Sequence, residues 1–582
     1  MTNEKTLSGE SGAAGDYRSR GLMLHREGKT EQALEVLSAG AALFPENDEI
    51  PATLALIMHE SGDISAVEYC KAAINANPAE AKHKELLIDI LSAVRLRAFH
   101  PHVCDLVELC LQTREIDHQK LMMLWLLLVK TDPRLSPFYA LGEKKDYKSF
   151  RKAFAKARDR TALLCPFFLL GLQSLIVGDL AFERLLTWLR RFLLEEGREG
   201  QRELLKALAV YCYHTEYAFG VMGEEERAVR SLVPADADDV LMLSCYGPFY
   251  ALDDSEGLAA VLEGEGGMAE FLKTQYYDYR AQQEIRNAIP ALTSVSNEVS
   301  QSVREQYEGF PYPRWKTLKG SISLNQLEDF LGTDPVRNLK KDGARILIAG
   351  CGTGHQALEY GIAFPKAEIL AIDLSLSSLA YAVQKQRERG IGNVVFRQAD
   401  ILEMKEPREH FDLIVCTGVL HHMQDPLAGW AALTRLLKPG GLMRIALYSE
   451  LARGFIVRGR EVIEQEGYAA DAAGIRRFRA DAPKLLEKRD MEMVAGSLDF
   501  YSLSECRDML FHVQEHRYTI PRIRDELAAL GLSFVKFEVP VAVRAQYHML
   551  YPDDDLAHWD EFERKNNLLF LQMYRFWCQR GS

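Results

Sequence analysis

ARILIAGCGTGHQALEYGIAF (Ala344–Phe364) reads as strand, glycine-rich turn and helix, and this reading decides the fold of the C-terminal part of the chain. Ile346–Ala349 is apolar on both faces, as a central strand of a parallel sheet must be. Gly350, Gly352 and Gly354 then allow a sharp turn and let a ligand approach bare backbone. The following helix, opening at His355, offers its first free N–H groups to that ligand. Further apolar strands follow at Glu368–Ile372, Val394–Arg397, Phe411–Cys416 and, after the LKPGG turn (Leu437–Gly441), Leu442–Leu447. Short strands alternating with helices signal a doubly wound, mostly parallel sheet. Leu532–Pro540 is expected as a sixth strand, and the WCQ region near Cys578 as a seventh.

The strand ends carry the candidate cofactor site. Asp373 closes the second strand, where a carboxylate accepts hydrogen bonds from both hydroxyls of a ribose. Asp400 follows the third strand and is placed to accept an adenine amino group, with Ile401 over one face of the ring. Cys351, His355, Leu374 and Thr417 complete the expected set. A dinucleotide fingerprint would need glycine at 355, where His355 stands, so a pyrophosphate loses its close approach to the helix.

GCGTG, Asp373, Asp400-Ile401, FDLIVC (Phe411–Cys416) and LKPGG in this order resemble the class I S-adenosylmethionine-dependent methyltransferases. The resemblance implies S-adenosylmethionine as cofactor. Many of these enzymes carry an acid two positions before the first glycine, where this chain has Ile348, so the methionine amino group must be met by backbone carbonyls or by the connector.

A closer resemblance rests on QYEGFPYPRW (Gln306–Trp315), AIDLSLSSLAYA (Ala371–Ala382), GVLHHM (Gly418–Met423) and DFYSLSECRDMLFHVQEHRYT (Asp499–Thr519). With a repeat-bearing front, the chain looks like the bacterial tetratricopeptide-containing methyltransferases and is similar in plan to the rickettsial protein lysine methyltransferases. A lysine acceptor is what that resemblance implies, not a reading of spacing. Alternatives are methylation of a small metabolite, and an adaptor whose methyltransferase core is inactive.

The repeat lies in GKTEQALEVLSAGAALFP (Gly28–Pro45) and GDISAVEYCKAAINANP (Gly62–Pro78). Their leading glycines stand 34 residues apart, the period of a tetratricopeptide repeat. Helical spacing continues to about 286, and the expected fold is an α-helical N-terminal half followed by an α/β Rossmann-like core with an insertion after its fifth strand. Expected boundaries are a tail at 1–14, repeats at 15–115, a helical domain at 116–286, the connector at 287–340, the core at 341–450, the insertion at 451–521 and completion of the core at 522–582.

Acceptor chemistry is expected in three places. Tyr307, Tyr312, Arg314 and Trp315 would wall or pin an acceptor channel, Tyr312 in direct contact with the reacting group; the alternative is that this aromatic run only covers the sheet. His421 or His422 could take a proton or position the acceptor; the alternative is that LHH begins a helix and its rings pack or cap. Tyr501, His512 and His516 would line the mouth. FHVQEH (Phe511–His516) also has the formal HxxEH spacing of inverted zinc peptidases, but the region suggests neither a further ligand nor a peptidase scaffold, and no metal is expected.

A net charge of −13 opposes a nucleic-acid coat, since phosphate binding needs a basic face. The ten cysteines form no CxxC pair, which fits a reducing compartment. The polar N-terminus lacks an apolar signal core, and the uncharged run Thr161–Gly178 reads as buried helix rather than a membrane span. The expected protein is cytoplasmic, docks a protein substrate on its helical half, and has the surface for a homodimer.

Overall fold

The computed structural model describes residues 3–581, apart from 114, 115, 158, 310, 312, 313, 316, 319–322, 406 and 407. The chain divides into two compact units, Met1–Pro248 and Phe249–Ser582.

Among its described residues the first unit is helical throughout. Gly28 and Gly62 both sit at positive φ (77° and 75°), each ending a helix. The caps match: Gly28 N–H donates to His25 O and Lys29 N–H to Leu24 O, while Gly62 N–H donates to His59 O and Asp63 N–H to Met58 O. Left-handed glycine is the ordinary way to satisfy the last carbonyls of a helix. Helices Thr30–Leu43 and Ala66–Ala76 follow, and each packs on its sequence neighbours. The uncharged run contains helix Pro166–Ser174, whose Phe167, Phe168 and Leu172 are buried. Gly171 lets this helix meet Trp125, since a Cβ there would lie 2.2 Å from the indole. Among the described residues no helix is long and apolar enough to cross a membrane.

The compact division falls at Pro248, earlier than the boundary expected at 286. Helix Asp278–Ala288 is polar and docks on helix Leu376–Arg389, where Gln384 donates to Asp278 (2.7 Å) and accepts from Gln282 (2.7 Å). These side-chain bonds tie it to the sheet unit.

The second unit holds a seven-stranded sheet: β1 (Arg345–Ala349), β2 (Glu368–Asp373), β3 (Val394–Gln398), β4 (Phe411–Thr417), β5 (Leu437–Leu447), β6 (Leu532–Phe537) and β7 (Tyr574–Arg580). The order is β3-β2-β1-β4-β5-β7-β6, parallel except that β7 runs antiparallel between β5 and β6. β5 begins at Leu437, so LKPGG is part of that strand and bulges between the pairs Phe411–Leu437 and Leu413–Leu442. The sheet is also extended by the connector: Leu292 N–H donates to Gln398 O (2.7 Å), and Gln398 N–H to Pro290 O (3.1 Å). Apolar side chains pack in layers on both faces of the sheet.

Trp430 is fully buried on helix Pro426–Leu436, its indole N–H on Met443 Sδ (3.2 Å). Trp430→Ala should cost about 3–5 kcal/mol, read as a lower midpoint of chemical denaturation of the second unit.

Candidate active site

The β1 turn is built by backbone. Gly350 and Cys351 N–H both donate to Ile372 O (2.8 and 2.9 Å), while Asp373 accepts Gly352 N–H (2.7 Å) and Ser375 N–H (2.9 Å). Burial raises the Asp373 carboxyl above its ordinary range, against the backbone donors that oppose this. Gly350 and Gly354 lie at φ 70° and 80°. A Cβ at Gly350 would come 2.2 Å from Val419, and one at Gly354 would come 2.5 Å from Ala382. Cys351 is buried beside Asp373, and burial pushes its thiol well up, so it is no nucleophile. The Leu374 carbonyl is taken by Gln398 (2.9 Å).

The adenine end fits its ligand. Asp400 uses Oδ1 for Leu402 N–H (3.0 Å), and its own N–H donates to Thr293 Oγ1 (2.8 Å). Among the described residues Oδ2 is buried with no partner, as is the Thr417 hydroxyl. A purine amino group supplies the donor that Oδ2 lacks, and buried Ile401 lies next to it in sequence. These residues fit S-adenosylmethionine.

Helix Glu298–Glu308 links these strand ends. At its start Asn297 donates to Gln424 after β4 (3.0 Å); at its end Glu308 accepts Leu376 N–H (2.8 Å) and the Ser377 hydroxyl (2.7 Å) after β2. The Tyr307 carbonyl accepts the Ser375 hydroxyl (3.3 Å), and the Tyr307 hydroxyl donates to Asp508. Trp315 departs from the channel wall expected for it. It is buried against the glycine turn, its indole N–H on Thr353 O (3.0 Å) and its ring edge-on to His355 (5.2 Å). A flat ring with one donor suits a cover over that turn. Arg314 lines a separate cavity of about 230 Å³ with Tyr250, Tyr279 and Arg286. Tyr312 lies outside the described residues.

Beyond β4 a buried polar cluster forms. His421 is fully buried, stacked on Tyr448 (3.9 Å), and neither ring nitrogen has a partner among the described residues. Burial, then His422 and Arg453, hold it neutral far below the usual histidine range. His422 Nδ1 donates to Gln514 O (2.7 Å), leaving the Nε2 lone pair. His512 Nδ1 accepts Gln514 N–H (3.1 Å), so its proton is on Nε2; burial lowers its pKa to about 2. Asp508 accepts the hydroxyls of Tyr307 and Tyr448. Arg453 lies 3.6 Å over the Tyr448 ring and pairs with buried Glu515 (2.8 Å).

FHVQEH is an irregular loop, not a helix, and Glu515 is consumed by arginines, so the peptidase-like spacing has no structural counterpart. His422, Asp508 and His512 do bring ligand atoms within 4.8 Å of one another. Ring chemistry opposes a cation: one His512 nitrogen accepts a backbone N–H and the other carries the proton. The two rings stack at 3.6 Å and 19°, so their planes do not converge within a metal–nitrogen bond of about 2.1 Å. His516 serves through its N–H on His421 O (2.7 Å), and its ring meets Gln514 (2.9 Å). Tyr501 is buried with its hydroxyl on Ala495 O (3.0 Å). Asp508, Tyr448 and Arg453 escaped the sequence reading; the one local signal was a carboxylate in the otherwise apolar face Cys506, Met509, Leu510.

Asp373→Ala should weaken S-adenosylhomocysteine binding by at least about tenfold in calorimetry, through the lost ribose contacts. Gly350→Ala should destabilise the second unit and abolish binding, because the new methyl meets Val419 at a positive φ. Unchanged affinity in either variant would contradict the site.

The family model for a methyltransferase domain matches residues 340–487. An uncharacterized protein of Synechococcus sp. is 30% identical over 276 residues, covering 43% of this chain and 63% of that protein. The ubiquinone biosynthesis O-methyltransferase of Alkalilimnicola ehrlichii is 35% identical over 130 residues, covering 21% of this chain and 50% of the enzyme. The chain thus spans about half to two-thirds of the length of these curated relatives. Among solved structures, PKMT2 from Rickettsia typhi in complex with AdoHcy is 17% identical with a TM-score of 0.34, covering 43% of this chain and 53% of that one. Residues 340–487 are a methyltransferase domain of the class I kind, whose cofactor is S-adenosylmethionine.

Proposed function

We propose that the protein transfers a methyl group from S-adenosylmethionine to lysine side chains of a protein substrate. The observation that carries this reading is the buried cluster after β4, where aromatic rings and uncharged imidazoles surround one carboxylate. S-adenosylmethionine supplies an electrophilic methyl on a sulfonium sulfur. Asp373 holds the ribose, Asp400 the adenine amino group, and the glycine turn the amino-acid tail. A lysine nitrogen attacks only when neutral, and with an unperturbed pKa of about 10.4 that form costs about 4–5 kcal/mol near pH 7. Burial among aromatic rings and the adjacent sulfonium charge lower that cost by disfavouring the ammonium, against the pull of Asp508. His421, neutral and with neither ring nitrogen partnered among the described residues, would accept a hydrogen bond from the neutral amine and hold its lone pair toward the methyl, the proton having left to water beforehand.

The helical unit is assigned to substrate docking. Its matched glycine caps at a 34-residue period support tetratricopeptide-like stacking, and such stacks present extended surfaces for a polypeptide. A small acceptor needs no such surface.

Incubation with radiolabelled cofactor and cell extract is expected to label protein bands at lysine; label confined to small molecules, or none, overturns the reading. His421→Asn should lower turnover by roughly 10²–10⁴-fold with S-adenosylhomocysteine affinity preserved.

A further inference from the structure

Asp508 is a buried carboxylate, 7% exposed, on helix Leu503–Leu510. Among the described residues its donors are the Tyr307 and Tyr448 hydroxyls, and no lysine, arginine or histidine forms an ion pair with it. A buried charge ordinarily has a counter-charge, because desolvation is otherwise uncompensated. The nearby arginines, Arg453 and Arg460, act on it only across space and pair instead with Glu515 (2.8 and 3.6 Å), and the rings beside it add no charge. His422 is kept uncharged by burial, although Asp508 itself favours the charged form, and His512 is uncharged as well. Nor is the cation a metal, since His512 has no nitrogen free to bind one.

The position of this group is also defined. Tyr307 reaches Asp508 through its hydroxyl and the Ser375 hydroxyl through its carbonyl, and Ser375 N–H lies on Asp373. His422, which follows β4, keeps the Nε2 lone pair as a second acceptor. An ammonium group has donors for both Asp508 and His422. A carboxylate acceptor would be repelled, and a hydroxyl supplies no charge.

We propose that Asp508 is the positioning residue that selects an amine as methyl acceptor, drawing it in as the ammonium, which gives one proton to water before its nitrogen attacks, with His422 Nε2 as the second acceptor in the subsite. The inference rests on the methyltransferase reading above.

Sinefungin tests it without a known substrate, because it carries a protonated amine where the cofactor carries its methyl. Calorimetry on the full chain should show sinefungin binding at least about tenfold tighter than S-adenosylhomocysteine. Asp508→Asn should erase that advantage and leave S-adenosylhomocysteine affinity within about twofold. Tyr448→Phe, which strips one donor from Asp508 and serves if Asp508→Asn does not fold, should keep or enlarge the advantage. Equal binding of the two nucleosides by the unaltered protein, an advantage that survives Asp508→Asn, or one lost in Tyr448→Phe overturns the assignment. Failure of both nucleosides to bind overturns the methyltransferase reading instead.

Discussion

One carbonyl oxygen organises the second unit. Ile372 O, at the end of β2, accepts the N–H groups of Gly350 and Cys351 as the chain leaves β1. A turn this tight would otherwise strand those donors, and unsatisfied buried N–H groups are costly. The two bonds fix the glycine turn against the strand whose last residue is Asp373, and Asp373 then takes a third N–H from Gly352. The amino-acid end and the sugar end of the cofactor site are therefore held at one distance by backbone N–H groups on one carbonyl and one carboxylate. A side chain at Gly350 would displace Val419 and, with it, the segment leading to the histidines.

The acceptor side is built on a different principle. Its groups come from segments far apart in sequence: the turn after β4, Tyr448 after β5, helix Leu503–Leu510 and the loop beyond it. The rings there are buried, and the tautomers of His422 and His512 are set by backbone partners. Gln514 alone fixes two tautomers, its carbonyl accepting a hydrogen bond from His422 Nδ1–H and its N–H donating one to His512 Nδ1. Arg453 and Glu515 neutralise each other beneath the Tyr448 ring. Asp508 forms no ion pair of its own among the described residues.

The cofactor half was legible because its determinants are local. A both-faces-apolar strand, glycines at fixed offsets and an acid at the next strand end are all short-range patterns, and β1 to β4 fall within a residue or so of expectation. The β7 strand was legible as an apolar segment, while its place between β5 and β6 shows only in the pairing. Trp315 was misplaced because spacing shows that an aromatic run is rigid, not which way each ring turns. The compact division at Pro248 places helix Asp278–Ala288 with the sheet, because the polar side chains of Asp278 and Gln282 find partners on Gln384 about a hundred positions on. Asp508 was missed for the same reason: its partners, at Tyr307 and Tyr448, are remote in sequence and carry no common motif.

Tyr307 serves two masters with one backbone unit, its carbonyl on the sugar-side loop and its phenol on the acceptor-side acid. Neither contact can shift without dragging the other. One residue thus stitches the loop that follows β2 to a carboxylate about two hundred positions further along the chain.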